Sequence, residues 1–259
     1  MSSGRGNDSS WGQRCFMSDA KQMMTQPVGI LAAMDEELVI LVSQLLRASE
    51  SQHGGVRFLT GEIEGHAVVL GQCGIGKVNA AMATTLMHML FKPKAILNTG
   101  TAGGLRDDFE VGDIVLGQNV CYHDADATVF GYAYGQVPQE PARYAADEVL
   151  LTAAARAGQS LDSVRVHRGL IASGDMFLGD EQARDLVRTR FPGVFAAEME
   201  GAAIAQVAAH LQVPCLIVRA VSDLAGEDAK MTHEEFLRVA ADKSAQLVVA
   251  TLNEYDKLL

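Results

Sequence analysis

Cys215-Leu216-Ile217-Val218 is an apolar run of strand length that follows Val213-Pro214 and gives way to Arg219-Ala220-Val221-Ser222-Asp223. Charge placed there predicts a buried strand that stops at Val218, with polar groups gathered at its carboxyl end. Just upstream, two carboxylates separated by one residue, Glu198-Met199-Glu200, open the small-residue run Gly201-Ala202-Ala203-Ile204-Ala205, which reads as a helix start. In open α/β sheets, ligands bind outside the carboxyl ends of the strands, so an acid at such an end facing an acid at a helix start is a candidate site. Taken singly, Asp223 is equally a turn or capping aspartate, and Glu200 an ordinary first-turn glutamate favoured by the helix dipole.

At 259 residues the chain can bury a sizeable core. No linker or repeat interrupts it after the first 26 residues, so one domain is expected over 27–259. Residues 1–26 are rich in Ser, Gly, Gln and Met and lack an apolar signal core, and they are expected to form a disordered extension. A net charge of −11 argues against nucleic acid as a partner, and a small neutral or cationic ligand suits it better. No apolar run approaches the ~20 residues that a membrane span needs. Cys15, Cys73, Cys121 and Cys215 are widely spaced, which suits reduced packing residues and a cytoplasmic setting.

Several other segments repeat the pattern of an apolar run with a polar edge. Val28 to Ala33 reads as a first strand, and Asp35-Glu36-Glu37 then open a helix whose Leu38, Leu41, Val42, Leu45 and Leu46 share one face. Val56 to Ile63 and Ala67 to Gly71 flank Glu64-Gly65 and predict an antiparallel hairpin. Gly71 to Val78 imitates a phosphate-binding loop, but Val78 stands where such a loop needs Ser or Thr to hold Mg²⁺. A helix over Lys77–Phe91 and a strand over Ala95–Asn98 lead to Thr99-Gly100-Thr101-Ala102-Gly103-Gly104, read as a loop that offers its backbone to a flat ring or a ribose.

Val111 to Leu116 is expected as a strand, Ala145 to Ala157 as a helix, and Val164 to Ser173 as a strand with a polar edge at Gly174 to Leu178. A helix over 180–190 and a short strand over Val194 to Ala197 follow. His123-Asp124-Ala125-Asp126 suggests a metal, yet no third ligand group with supporting spacing accompanies it, so no metal is expected. Phe130, Tyr132, Tyr134 and Pro138 form an aromatic loop suited to packing on a subunit neighbour. Thr232-His233-Glu234-Glu235 has the capping-box pattern and is expected to start a long C-terminal helix.

Taken in order, these segments resemble the 5′-methylthioadenosine/S-adenosylhomocysteine nucleosidases of the nucleoside phosphorylase and hydrolase family. The carriers are the run Gly29 to Glu37, Gly74-Ile75-Gly76-Lys77-Val78, Asn98 to Gly104, Val111-Gly112-Asp113-Ile114, Tyr122 to Asp126, Ser173-Gly174-Asp175, Glu198-Met199-Glu200 and Arg219 to Asp223. The resemblance implies a single-domain, three-layer α/β/α fold with a mixed central sheet, nucleoside phosphorylase-like. It also implies a homodimer in which segment 127–138 of one subunit, with Phe130, Tyr132 and Pro138, completes the 5′ pocket of the other.

Roles follow by position. Asp223 resembles the acid that protonates adenine at N7, Glu37 the base for the attacking water, and Glu200 the ribose-hydroxyl ligand. Met199 corresponds to the residue under the sugar, and Ile75, Thr101, Ala102 and Gly103 to further lining of the site. Ser222 and Arg219 would support the acid and the sugar-side carboxylate, while backbone groups of Phe177 and Leu178 would read the adenine. His233 stands where the family usually has an apolar aromatic beside the 5′ substituent.

The chemistry needs such groups. Cleaving an N-glycosidic bond leaves a purine anion unless an acid protonates the ring, and an aspartate buried at a strand end can retain its proton near neutrality. Carboxylates stabilise the oxocarbenium-like sugar, and one of them activates water. No metal or organic cofactor is required. A phosphorylase on the same fold would need cations for phosphate, whereas Asp35, Glu36 and Glu37 crowd that edge with negative charge.

Overall fold

The computed structural model describes residues 26–161, 164–223 and 229–259, and for 229–235 the helix alone. The extension expected over 1–26 thus lies outside the described residues except for Gln26. Among the described residues, eleven strands form one mixed sheet: β1 (Val28–Ala32), β2 (Leu46–His53), β3 (Val56–Ile63), β4 (His66–Gln72), β5 (Ala95–Asn98), β6 (Thr101–Gly104), β7 (Ile114–Tyr122), β8 (Tyr144–Ala145), β9 (Val166–Ser173), β10 (Val194–Glu198) and β11 (Cys215–Asp223). Their order is β2-β3-β4-β1-β5-β11-β6-β10-β9-β7-β8, and β7 also pairs antiparallel with β11. That extra pairing closes β11, β6, β10, β9 and β7 into a ring. β1, β4, β5 and β11 run parallel, so their carboxyl ends gather on one side.

Among the described residues, six α-helices cover the sheet: α1 (Val39–Gln44), α2 (Lys77–Phe91), α3 (Glu148–Gln159), α4 (Glu181–Arg190), α5 (Gly201–Leu211) and α6 (Ala229–Asp256). β1 shows how the layers divide. Ile30 and Ala32 join the core made with α3 and α6, while the intervening Leu31 joins the core made with α2 and α5, as the two-residue period of a strand requires. The result is the expected three-layer α/β/α domain. Glu64 and Gly65 both have positive φ, 49° and 85°, the signature of the tight turn that joins β3 to β4. Asp147 caps α3 by accepting from Val149 N and Leu150 N, each at 3.0 Å.

Six local expectations are corrected. The helix expected from Ala145 starts at Glu148, after its cap Asp147, and Ala145 belongs to β8. The helix expected from Asp35 through Leu46 is a 3-10 turn, Asp35–Glu37, followed by α1, and Leu46 already belongs to β2, where it is exposed. Edge pairing with β3 overrides the helical period there. β11 runs on through Arg219 to Asp223, because the charge of Arg219 is neutralised inside the fold. Thr101–Gly104 is a strand, held between β11 and β10. The strand expected from Val111 starts at Ile114, after a turn in which Asp113 accepts from Glu110 N at 3.0 Å. Finally, α6 begins at Ala229, so Thr232 lies inside it and is not its N-cap; Ala, Lys and Met extend a helix readily.

Candidate active site

The sheet's carboxyl edge surrounds a cavity of about 140 Å³. Chain direction explains why. β1 delivers Ala33, Met34 and then Glu37, β6 delivers Thr101, Ala102 and Gly103, β10 ends at Glu198 with Met199 and Glu200 following, and β11 ends at Ser222 and Asp223. Ile75 and Phe177 form outer walls and are half exposed. Leu178 lines a smaller space that continues from the cavity past Asp223.

Glu37 is buried, and its carboxylate is bound on both oxygens. Oε2 accepts from Ala33 N (3.0 Å) and Met34 N (3.2 Å), and Oε1 accepts from Thr101 N (2.9 Å) and Thr101 Oγ1 (3.3 Å). Gly100 is required beside it, because a Cβ at that position would overlap Arg219 Nη1 and sit 2.6 Å from Glu37 Oε1. Glu200 is the N-cap residue of α5, and its Oε1 accepts from Gly76 N at 2.9 Å. The glycine-rich stretch before α2 therefore lends its backbone to a carboxylate of the site.

Arg219, fully buried on β11, lies beneath the cavity. Its Nη2 donates to Glu198 Oε2 (2.5 Å), Asn98 Oδ1 (2.7 Å) and Glu200 Oε2 (3.2 Å). Burial pushes the Glu200 carboxyl up to about 7 against the opposing pull of Arg219, with Glu198 adding to the rise. Glu198 also accepts from Ser173 Oγ and from the backbone N–H of Glu200 (3.0 Å) and Gly201 (2.8 Å). Asp223 is buried at the other end, where Ser222 Oγ donates to its Oδ1 at 2.9 Å and Arg184 Nη2 donates to Oδ2.

The structure thus brings Glu37, Ile75, Thr101, Ala102, Gly103, Phe177, Met199, Glu200, Ser222 and Asp223 to one cavity, with Leu178 and Arg219 against it. Phe130, Tyr132 and Pro138 do not line it, and Phe130 is 78% exposed. The His233 side chain lies outside the described residues. Sequence reasoning missed Arg184 as a member of the site, and it named Glu198 without a role. Arg184 carried no signal, since a basic residue on a polar helix reads as a solvated face. Glu198 did carry one, because an acid immediately before a helix start is placed to bind that helix's free amides.

The tested metal motif is otherwise engaged: Asp124 binds Lys77 Nζ at 2.7 and 2.8 Å, and Asp126 accepts from Thr128 N at 3.0 Å. Among the described residues no group of three His, Cys, Asp or Glu side chains is arranged to hold a metal ion, and no helix is long and apolar enough to cross a membrane.

A mixed-sheet α/β/α domain with buried carboxylates around a cavity at its strand ends is the nucleoside phosphorylase-like fold. The chain belongs to the phosphorylase superfamily, whose sequence profile matches residues 27–253. It is 46% identical to the 5′-methylthioadenosine/S-adenosylhomocysteine nucleosidase of Anoxybacillus flavithermus over 89% of this chain and 99% of that protein. The nucleosidase of the same name from Neisseria meningitidis, solved with methylthio-immucillin-A, superposes with a TM-score of 0.86 at 43% identity, covering 88% of this chain and 98% of that one. The Colwellia psychrerythraea nucleosidase, solved with adenine, gives 0.87 at 40% identity, covering 89% and 96%.

Proposed function

We propose that this protein is a nucleosidase that hydrolyses the N-glycosidic bond of 5′-methylthioadenosine, S-adenosylhomocysteine and related 5′-substituted adenosines, releasing adenine and the free 5′-substituted ribose. The carrying observation is the cavity with Glu37, Glu200 and Asp223 on its walls, all three buried. Near-identical extents and more than 40% identity to nucleosidases support the same reading.

In this mechanism Asp223 protonates purine N7 as the glycosidic bond lengthens, so the base departs neutral. Phe177 and Leu178 border the base, Met199 lies under the sugar, and Glu200 holds a ribose hydroxyl. Positive charge growing on the sugar is stabilised by Glu37 and Glu200. Glu37 takes a proton from the attacking water. A carboxylate offers about four acceptor positions, and four donors already fill those of Glu37. The water is therefore placed at Oε1, where it displaces the longest of them, the Thr101 hydroxyl at 3.3 Å.

Product analysis tests the reading. With 5′-methylthioadenosine we expect adenine and free 5-methylthioribose at equal rates with and without phosphate. A pentose 1-phosphate that appears only with phosphate would overturn hydrolysis.

The working unit is proposed to be a cytoplasmic homodimer in which segment 127–138 closes the partner's 5′ pocket. Val78, Val129 and Phe130 are each at least 78% exposed, and Val78, Ala81, Tyr122, Ala125, Val137 and Val207 line a mostly apolar groove of about 410 Å³ beside that segment. An apolar surface of this kind marks an interaction site. Phe130→Ala is expected to raise KM for alkylthio substrates more than it lowers kcat. Sedimentation showing a fully active monomer at assay concentration would refute the shared pocket.

A further inference from the structure

Lys77 belongs to the Gly71–Val78 imitation of a phosphate-binding loop and Asp124 to the His123-Asp124-Ala125-Asp126 run, and neither has a part in the proposed chemistry. The fold brings the two together. Lys77 opens α2 and Asp124 lies just past the end of β7, where Lys77 Nζ donates to Asp124 Oδ1 (2.8 Å) and Oδ2 (2.7 Å). Asp175, just past the end of β9, completes the group. Its Oδ1 accepts from Lys77 N at 2.8 Å, its own N–H donates to Asp124 Oδ2 at 2.8 Å, and its Oδ2 stands 3.7 Å from Lys77 Nζ. Each of the three residues contacts the other two, through backbone as well as side-chain atoms.

Their place beside the cavity gives the triad a purpose. Ile75 stands two residues before Lys77 and Phe177 two residues after Asp175, and both line the cavity as its outer walls. Each wall is about half exposed, so burial alone does not fix its position. The same helix end reaches the sugar side, because Gly76 N donates to Glu200 Oε1 at 2.9 Å. Two successive amides at the amino end of α2 thus hold one carboxylate of the ribose end and one beside the base wall. Two glycines permit the close approach. Gly76 has φ 96°, and a Cβ on it would lie 3.0 Å from Asp175 Oδ1, while a Cβ on Gly174 would sit 2.4 Å from Cε1 of the buried His123 ring. Burial opposes ionisation of Asp124, yet the Lys77 ammonium and the Asp175 amide hold its carboxyl below the ordinary carboxylate range.

We propose that Lys77, Asp124 and Asp175 form a clamp that sets the distance between the Ile75 and Phe177 walls, which makes Asp175 a positioning residue for the base of the nucleoside. This rests on the nucleosidase reading above. With the clamp open, the two walls no longer stand at the width that a planar ring needs, and only the clamped fraction of the protein binds the base. A partly exposed ion pair contributes little by itself. The bond from Lys77 N to the Asp175 carboxylate is charge-assisted and is the stronger link. Glu37 lies outside the clamp, since its donors come from Ala33, Met34 and Thr101, so the clamp governs binding more than turnover.

Asp175→Ala removes the acceptor for Lys77 N, and Asp175→Asn keeps one. By isothermal titration calorimetry of the full-length protein, we expect adenine to bind Asp175→Ala about tenfold more weakly, as when the competent fraction falls to about a tenth, and Asp175→Asn to recover most of that loss. For 5′-methylthioadenosine, KM should rise with the adenine Kd while kcat stays within about threefold, the pattern of lost uniform binding. Adenine affinity of Asp175→Ala within about twofold of the wild type, or an asparagine variant no better than alanine, would overturn the clamp. If Asp175→Ala does not fold, hydrogen exchange of the wild type decides. Adenine should slow exchange at the Lys77 and Asp175 amides, because ligand binding and clamp closure are reciprocally linked, and unchanged exchange would overturn the proposal. A wild type that cleaves the nucleoside without these effects of Asp175 would sink the clamp alone, whereas a wild type that neither binds adenine nor cleaves the nucleoside would sink the function as well.

Discussion

Asp223→Asn reduces kcat for adenosine-type substrates by about 10² to 10⁴-fold, the range that general acid catalysis supplies. The amide cannot deliver a proton to N7, and it also places an NH2 or a neutral oxygen against Arg184 and Ser222, which now donate to a carboxylate. Binding of the substrate should survive better than turnover, because the walls contributed by Phe177, Met199 and Glu200 are untouched. Single-turnover kinetics separate the two effects. A variant that keeps more than about a tenth of wild-type kcat would remove Asp223 from the role of acid.

Glu37→Gln is the second large effect, and it acts on the nucleophile. We expect a loss of at least about 10²-fold in kcat with adenine affinity held within a few-fold, since Glu37 lies toward the sugar end and away from Leu178. Stability should fall too. One oxygen becomes a donor facing either the Ala33 and Met34 amides or the Thr101 amide, and a buried mispaired group costs about 1–3 kcal/mol. Calorimetric melting alongside kcat and adenine binding distinguishes the roles: a large fall in Tm with an unchanged rate would make Glu37 structural only.

The parts of the fold legible in the sequence are those fixed by local physics. β1, α2 and β5 fall within a residue or two of their expected bounds, because an apolar run bounded by Pro or Gly leaves little choice, and so does the polar helix α4, which Asp180 caps. The misses need a partner far away in sequence. β2 is polar along most of its length, and only its pairing with β3 makes it a strand. Arg219 looks like the end of β11 until Glu198 and Glu200, about twenty residues upstream, are seen to share its charge. Thr101–Gly104 looks like a loop because its ladder is supplied by β10 and β11. The same holds for the site. Glu37, Glu200 and Asp223 stand at visible ends of elements, whereas Arg184 reaches Asp223 across 39 residues, a distance that helix periodicity cannot report.

The amino end of α5 has one further consequence. Helix amino ends are ready receptors for phosphate, through free amides and a positive dipole. Here that receptor is already filled from within, since Glu198 takes the Glu200 and Gly201 amides and the guanidinium of Arg219 besides. An inorganic dianion entering the cavity would meet the Glu37 and Glu200 carboxylates with the obvious counter-charges taken. On the proposed nucleosidase reading, such a pocket would admit neutral water and disfavour the dianion. On that reading, a sugar trapped by water keeps no activated phosphate ester with which to recapture the base, so one internal carboxylate at a helix end would help to commit the reaction to hydrolysis rather than reversible phosphorolysis.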